Sequence, residues 1–188
     1  MKTIELSKKY QKEVVPAMVE KFGYTSVMAV PKIEKVVLNI GFGKRVTGKT
    51  SDEQKKIYGG ILDDMALIAG QAPILTKAKK SIAGFKLRQG SPIGATVNLR
   101  GKRMYDFIER LINIAFPRSR DFNGIAIKSI DHSGNLNLTI KEHIAFAEIE
   151  PERSKSIFGL EVTVTTSAKS RKEGLELLRL MGFPIKKE

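Results

Sequence analysis

The chain has 188 residues, of which 41% are hydrophobic and 28% charged, enough to bury one sizeable core but without a run of about 18 apolar residues that could cross a bilayer. It contains no cysteine, which excludes disulfides, thiolate metal sites and cysteine nucleophiles and leaves stability to packing. Its 33 Lys and Arg against 20 Asp and Glu give a formal net charge of +13, a balance suited to a polyanionic partner. The first residues, MKTIELSKKYQKEVVP, mix both charge signs inside a helical apolar period and lack the continuous apolar stretch of a signal peptide. An unprocessed cytoplasmic protein is expected, with no membrane partner.

In chain order, Leu6, Tyr10, Val14, Met18 and Phe22 recur at helical spacing and predict a helix from about Ile4 to Phe22, kinked at Pro16 and capped by Gly23. A strand follows in KIEKVVLNIG, where Val36, Leu38 and Ile40 alternate with Lys35, Val37 and Asn39. A second helix, about Asp52 to Ala69, is expected to start at a Ser51-x-x-Gln54 capping box and to end at Gly70. Residues Ala72 to Lys77 and Ile93 to Arg100 read as strands on either side of a long loop. MYDFIERLINIAF is an amphipathic helix stopped by Pro117, and strands at about Ile125 to Ile130 and Asn135 to Ile140 flank a Ser133-Gly134 turn as a hairpin. Leu160, Val162 and Val164 alternate with Glu161, Thr163 and Thr165 in a last strand, and Ser170-x-x-Glu173 opens a terminal helix.

Helices and strands interleave, yet the strands alternate in polarity, whereas a parallel sheet buried on both faces reads as continuous apolar runs. The expected fold is therefore α+β, a single domain over 1–188 with a mainly antiparallel sheet and helices packed on one face. The other face stays open. Asn39, Thr96, Asn98 and Arg100 lie opposite the apolar residues of their own strands and would form a polar platform able to read RNA. The surrounding charge agrees. From Met65 to Tyr105 there is no carboxylate, while Lys77, Lys79, Lys80, Lys86, Arg88, Arg100, Lys102 and Arg103 all fall inside. Like charges without a partner only destabilise a folded chain, so this window points to nucleic acid. Within it the loop 79–92, KKSIAGFKLRQGSP, carries four cations and no acid, is punctuated by Gly84, Gly90 and Pro92, and is expected to be a mobile basic arm.

One motif points to a different chemistry. GKRVTGKT, Gly43 to Thr50, fits the G-x-x-x-x-G-K-[ST] pattern of phosphate-binding loops between a strand and a helix, so a phosphate-loop NTPase or nucleotide kinase is the alternative reading. Against it, the helix start signals fall after Lys49 and Thr50, and no later apolar strand ends cleanly in an Asp that could hold Mg2+. His132 and His143 are isolated and belong to surface or core; no metal, cofactor or catalytic residue is proposed. Asp63 and Asp64, adjacent on a helix, diverge and read as solvated charges. AGFKLRQG does not fit the aromatic pattern of single-strand RNA readers, so folded RNA is the better target.

The blocks SVMAVPKIEKVVLNIGFG, GQAPILTKAKKSIAGFKLRQGSPIGATVNLRGKRMYDFIERL, IAFPRSRDFNGI and GLEVTVTTSAKSRKEG, in that order and spacing, resemble the bacterial family of large-subunit ribosomal protein five. The resemblance covers nearly the whole chain, and the phosphate-loop pattern falls where this chain looks longer than many members. It implies an RNA-recognition-like sandwich and a non-enzymatic protein of the central protuberance that binds 5S rRNA, touches 23S rRNA and neighbouring large-subunit proteins, and reaches toward P-site tRNA and the small-subunit head protein numbered thirteen. It would place Asn39, Gln71 and the position of Asn98 at 5S rRNA, although the family carries Thr in a stretch like VTLRG where this chain has VNLRG. Thr76, Lys77, Thr96 and Arg100 complete the candidate 5S rRNA set. The loop with Lys79, Lys80, Lys86 and Arg88 would face tRNA, and the hairpin region the small subunit.

Overall fold

The computed structural model describes residues 6–120, 122–150, 152 and 156–186. Helix α1 runs as Leu6–Lys9, a π-helical stretch Tyr10–Val14, and Val15–Phe22; the expected start at Ile4 lies outside the described residues. The expected disturbance at Pro16 takes the form of that widened turn. The Val15 N–H reaches back to the Tyr10 carbonyl, which opens the helix just ahead of a ring that has no N–H to donate and would crowd the preceding turn. Gly23 ends the helix at φ 68°. Strand β1, Ile33–Gly41, leads into a short helix α2, Gly43–Val46, and then helix α3, Ser51–Ala69. The α3 cap is one residue earlier than expected: Thr50 is the N-cap and its N–H donates to the Glu53 carboxylate at 3.1 Å. The Gln54 amide instead donates to the Lys49 carbonyl at 3.0 Å.

Strands β2, Ile74–Lys77, and β3, Pro92–Leu99, bracket the basic loop. Arg100 leaves the strand to become the N-cap of α4, which runs Gly101–Arg110, through a π-helical stretch Leu111–Ala115, to Phe116–Arg118. Pro117 therefore does not stop this helix. It follows a π-helical stretch by two residues, as Pro16 does in α1, and the same widening tolerates it. The expected hairpin is largely absent. Ile125 and Ile130 are its buried residues, five apart and thus unable to face one side of a strand; a 3₁₀ turn, Ile127–Ser129, separates them. Ile125 bridges Ile185 in parallel, and only Ile130 bridges Leu136. Strand β4, Leu136–Ile140, is followed by β5, Leu160–Thr166, and helix α5, Arg171–Met181. Ser170 caps α5 by accepting from the Glu173 N–H at 3.3 Å, while the Glu173 carboxylate accepts from the Lys169 N–H.

The five strands form one sheet in the order β2-β3-β1-β5-β4, with every neighbouring pair antiparallel. Val36, Leu38 and Ile40 of β1, Val97 and Leu99 of β3, and Leu160, Val162 and Val164 of β5 are buried on one face. Against them pack Met18, Ile61, Met65, Phe107, Ile108, Leu111, Leu177 and Leu178 from the helices, each full burial of a large side chain contributing roughly 1.5 to 3 kcal/mol. Helix α5 is held close to the turn before β4 by two glycines. A Cβ on Gly174 would stand 2.4 Å from the Gly134 Cα, closer than any side chain could be accommodated.

Candidate nucleic-acid interface

The strand pairings assemble the face of the sheet turned away from the core. Asn39 stands between Thr96 and Glu161, Ile74 lies beyond Thr96, and Thr139 lies beyond Glu161. The next row runs Asn98, Val37, Thr163, Asn137. On the other side Thr76, Gly94 and Gly41 make a flat strip, where a Cβ on Gly94 would meet the Ile40 carbonyl oxygen at 2.6 Å and the Thr76 Oγ1 at 2.8 Å. Asn39, Asn98, Asn137, Thr139 and Glu161 are exposed. This is the polar platform expected from β1 and β3, extended across β5 and β4.

Its polar atoms are only lightly committed. The Asn39 amide donates to Glu161 Oε2 at 3.4 Å, a long contact that a better partner could displace. Thr96 Oγ1 donates to the Leu38 carbonyl at 3.1 Å, and Thr163 Oγ1 to Asn137 Oδ1 at 2.8 Å. Gln71 lies beside the sheet, its amide donating to the Asn98 carbonyl at 3.4 Å and accepting from Arg103 at 3.2 Å. The structure thus brings Asn39, Thr96, Asn98 and Gln71 into one patch, with Thr76 on the same face of the edge strand. Lys77 and Arg100 are exposed at strand ends on its rim. Glu161, Thr163, Asn137 and Thr139 are the members that the sequence reading missed. The alternation of β5 was visible; that β5 pairs with β1 was not. Glu161 makes the centre neutral or acidic, so phosphates suit the cationic rim, while amides and hydroxyls in the middle suit sugar hydroxyls and base edges.

The basic loop is a folded miniature hairpin. Ile82 and Leu87 exchange backbone hydrogen bonds of 2.9 and 3.1 Å around a 3₁₀ turn, Ala83–Phe85, and the Gln89 N–H donates to Ser81 Oγ at 2.9 Å. Its neck is tied by Ala78 to Ser91 and by Gly90 to Ala78. Lys79, Lys80, Lys86 and Arg88 are exposed, as is Phe85 at 72%, so cations and an apolar tip are presented together.

The phosphate-loop alternative is not supported. A working loop aims several backbone N–H groups at one anion. Here those of Arg45, Thr47 and Lys49 donate to the carbonyls of Phe42, Gly43 and Val46, and that of Thr50 is taken by Glu53, which this bond holds below the usual carboxylate range. A second expectation is corrected at Asp64. It is not simply solvated: its Oδ2 lies 3.4 Å from Nε2 of the fully buried His143. The other ring nitrogen, Nδ1, accepts from the Phe158 N–H at 3.4 Å, and the imidazole stacks on the Phe158 ring. Burial pushes the His143 pKa down, opposed by Asp64.

An α+β sandwich with one uncovered polar sheet face, rimmed by cations, is the layout of an RNA-binding module. Comparison with known proteins gives the family. Residues 26–88 match the model for ribosomal protein L5, and residues 92–185 match the model for the C-terminus of the same ribosomal family. The large ribosomal subunit protein uL5 of Desulforapulum autotrophicum is 52% identical over 181 residues, covering 96% of this chain and 98% of that protein. Those of Halothermothrix orenii and Brevibacillus brevis are 47% and 48% identical, covering 96% and 97% of this chain and 97% and 98% of theirs. The chain belongs to the ribosomal protein L5 family and is a structural, non-enzymatic constituent of the large ribosomal subunit.

Proposed function

We propose that the platform binds 5S rRNA through Asn39, Gln71, Thr76, Lys77, Thr96, Asn98 and Arg100, and that the loop with Lys79, Lys80, Lys86 and Arg88 meets P-site tRNA. The observation that carries this reading is the register that sets Asn39 opposite Thr96 on the uncovered face, beside an edge strand whose loop carries four cations and no carboxylate. In this reading the protein sits in the central protuberance with 23S rRNA and neighbouring large-subunit proteins, and helps bridge to the small-subunit head protein thirteen. The single compact domain keeps the loop projecting from the β2–β3 end while the platform stays occupied.

The test is binding of labelled 5S rRNA to the full chain across a salt series. Affinity should fall steeply, by about 0.7 to 0.9 log units per phosphate contact per decade of salt. Asn39→Ala should weaken binding by roughly 5- to 150-fold, the equivalent of about 1 to 3 kcal/mol for a desolvated polar group left unpaired, with an unchanged melting temperature. Wild-type affinity in a folded Asn39→Ala protein would remove this residue from the site.

A further inference from the structure

Between the basic loop and the segment joining α2 to α3 runs a groove of about 750 Å³, lined on one side by Thr47, Lys49, Ser51 and Gln54 and on the other by Ser81, Lys86 and Arg88. We infer that this groove is a second RNA site, seating a phosphodiester backbone between Lys49 on one wall and Lys86 and Arg88 on the other. The inference rests on the reading that the loop meets a second RNA, and adds that the α2–α3 segment forms half of the seat.

Three observations converge. The lining carries three cations from two segments far apart in sequence and contains no Asp or Glu, and it includes the apolar side chains of buried Val46 and half-buried Leu87. Such a mixture accepts phosphates at the cations and sugar faces at the apolar groups. Second, Lys86 is the one non-glycine residue with positive φ among the described residues, at 50°. A residue with a Cβ in the left-handed region costs roughly 1 to 2 kcal/mol relative to ordinary backbone, and glycine would fill this turn without that cost. A lysine there supplies a cation to the groove wall that glycine could not. Third, the backbone N–H groups of Arg45, Thr47, Lys49 and Thr50 are already bonded, and the groove lining offers no carboxylate for Mg2+. A magnesium nucleotide is therefore poorly served, whereas a polymer backbone needs only spaced cations and hydroxyl donors.

The probe is a fluorescent oligouridylate of about 12 nucleotides, within the range of single-strand site sizes, titrated into the full chain alone and after saturation with 5S rRNA, over a salt series. Lys49→Gln and Lys86→Gly should each make the plot of log affinity against log salt shallower by about 0.7, and the double variant by about 1.4, while 5S rRNA affinity stays at the wild-type value. Lys86→Gly should melt at or above the wild-type temperature, which separates lost charge from lost fold. If Lys86→Gly weakens oligouridylate and Lys49→Gln does not, the groove is overturned and the loop reading survives; if neither does, both fall. Equal loss of 5S rRNA binding would also overturn it, as would calorimetric binding of Mg-ATP that disappears in Lys49→Gln. A wild-type chain that fails to bind 5S rRNA refutes the platform alone, because the oligouridylate arm on the free chain is read independently.

Discussion

The buried pair His143–Asp64 makes the stability of the protein sensitive to acid in a direction that can be derived. His143 is fully buried and its Nδ1 accepts from the Phe158 N–H, so the imidazole is neutral with its proton on Nε2, facing Asp64 at 3.4 Å. Burial is the largest influence and lowers the pKa from 6.5, and the Asp64 carboxylate opposes it without reversing the direction. The folded state therefore binds fewer protons than the unfolded chain below pH 6.5. Stability from this group is complete above about pH 6.5 and is lost as the pH falls toward the folded pKa, with a slope approaching about 1.4 kcal/mol per pH unit. Protonating Nδ1 would also break the bond from Phe158. Asp64→Asn removes the charge that partly offsets burial, so the folded pKa drops further and the acid-side loss extends to lower pH. At neutral pH the same variant should cost no more than about 1 kcal/mol, because an amide oxygen can still accept from Nε2 across this long contact. Urea unfolding between about pH 5 and 8, the window in which histidine titrates, for both proteins and for His143→Phe as a non-titrating reference, measures all three quantities. A wild-type chain whose midpoint rises on acidification relative to His143→Phe would refute the reasoning.

Gly174→Ala should destabilise the fold by about 1 to 3 kcal/mol, the usual cost of overpacking, because the new Cβ has the Gly134 backbone at 2.4 Å; a thermal melt reads it. Thr50→Ala should cost about 1 kcal/mol through the lost cap, whereas Ser51→Ala should be nearly neutral, a contrast measurable by urea midpoints. Lys86 and Arg88 both changed to Glu should leave 5S rRNA affinity and incorporation into the large subunit intact yet weaken P-site tRNA retention on assembled ribosomes, since the two surfaces are separate. Loss of 5S rRNA binding with normal tRNA retention would reverse that division.

The strands β1, β3 and β5 were legible because each carries a strict two-residue alternation with one wholly buried face, and that alternation also implied an antiparallel sheet. The α3 cap was misread because Thr50-x-x-Glu53 and Ser51-x-x-Gln54 both satisfy the same pattern one residue apart; only Thr50, at φ −66° and ψ 157°, has the extended backbone that an N-cap needs. Ile125 to Ile130 looked like a strand because β-branched residues dominate it, yet its buried positions are five apart and its partner, Ile185, lies near the other end of the chain. The same non-locality hid half of the platform. Nothing in the local sequence says that Glu161 and Thr163 lie beside Asn39 and Val37, nor that His143 reaches back to Asp64.

That hidden half changes how the site must work. A platform built from β1 and β3 alone would be amides and hydroxyls next to cations, a surface that could hold phosphates anywhere. With β5 in place, Glu161 stands beside Asn39 and repels phosphate from the middle of the sheet. In the proposed reading RNA meets Glu161 with its donors, the 2′-hydroxyl and the exocyclic amines, while its sugar and base acceptors meet the amides and hydroxyls around it. Affinity and recognition in the proposed reading fall to different residues: the salt-dependent part to Lys77 and Arg100, the selective part to Asn39, Thr96, Asn98 and Glu161. In that reading the rim cations carry the affinity, and the polar centre around Glu161 selects which surface of the RNA is turned inward.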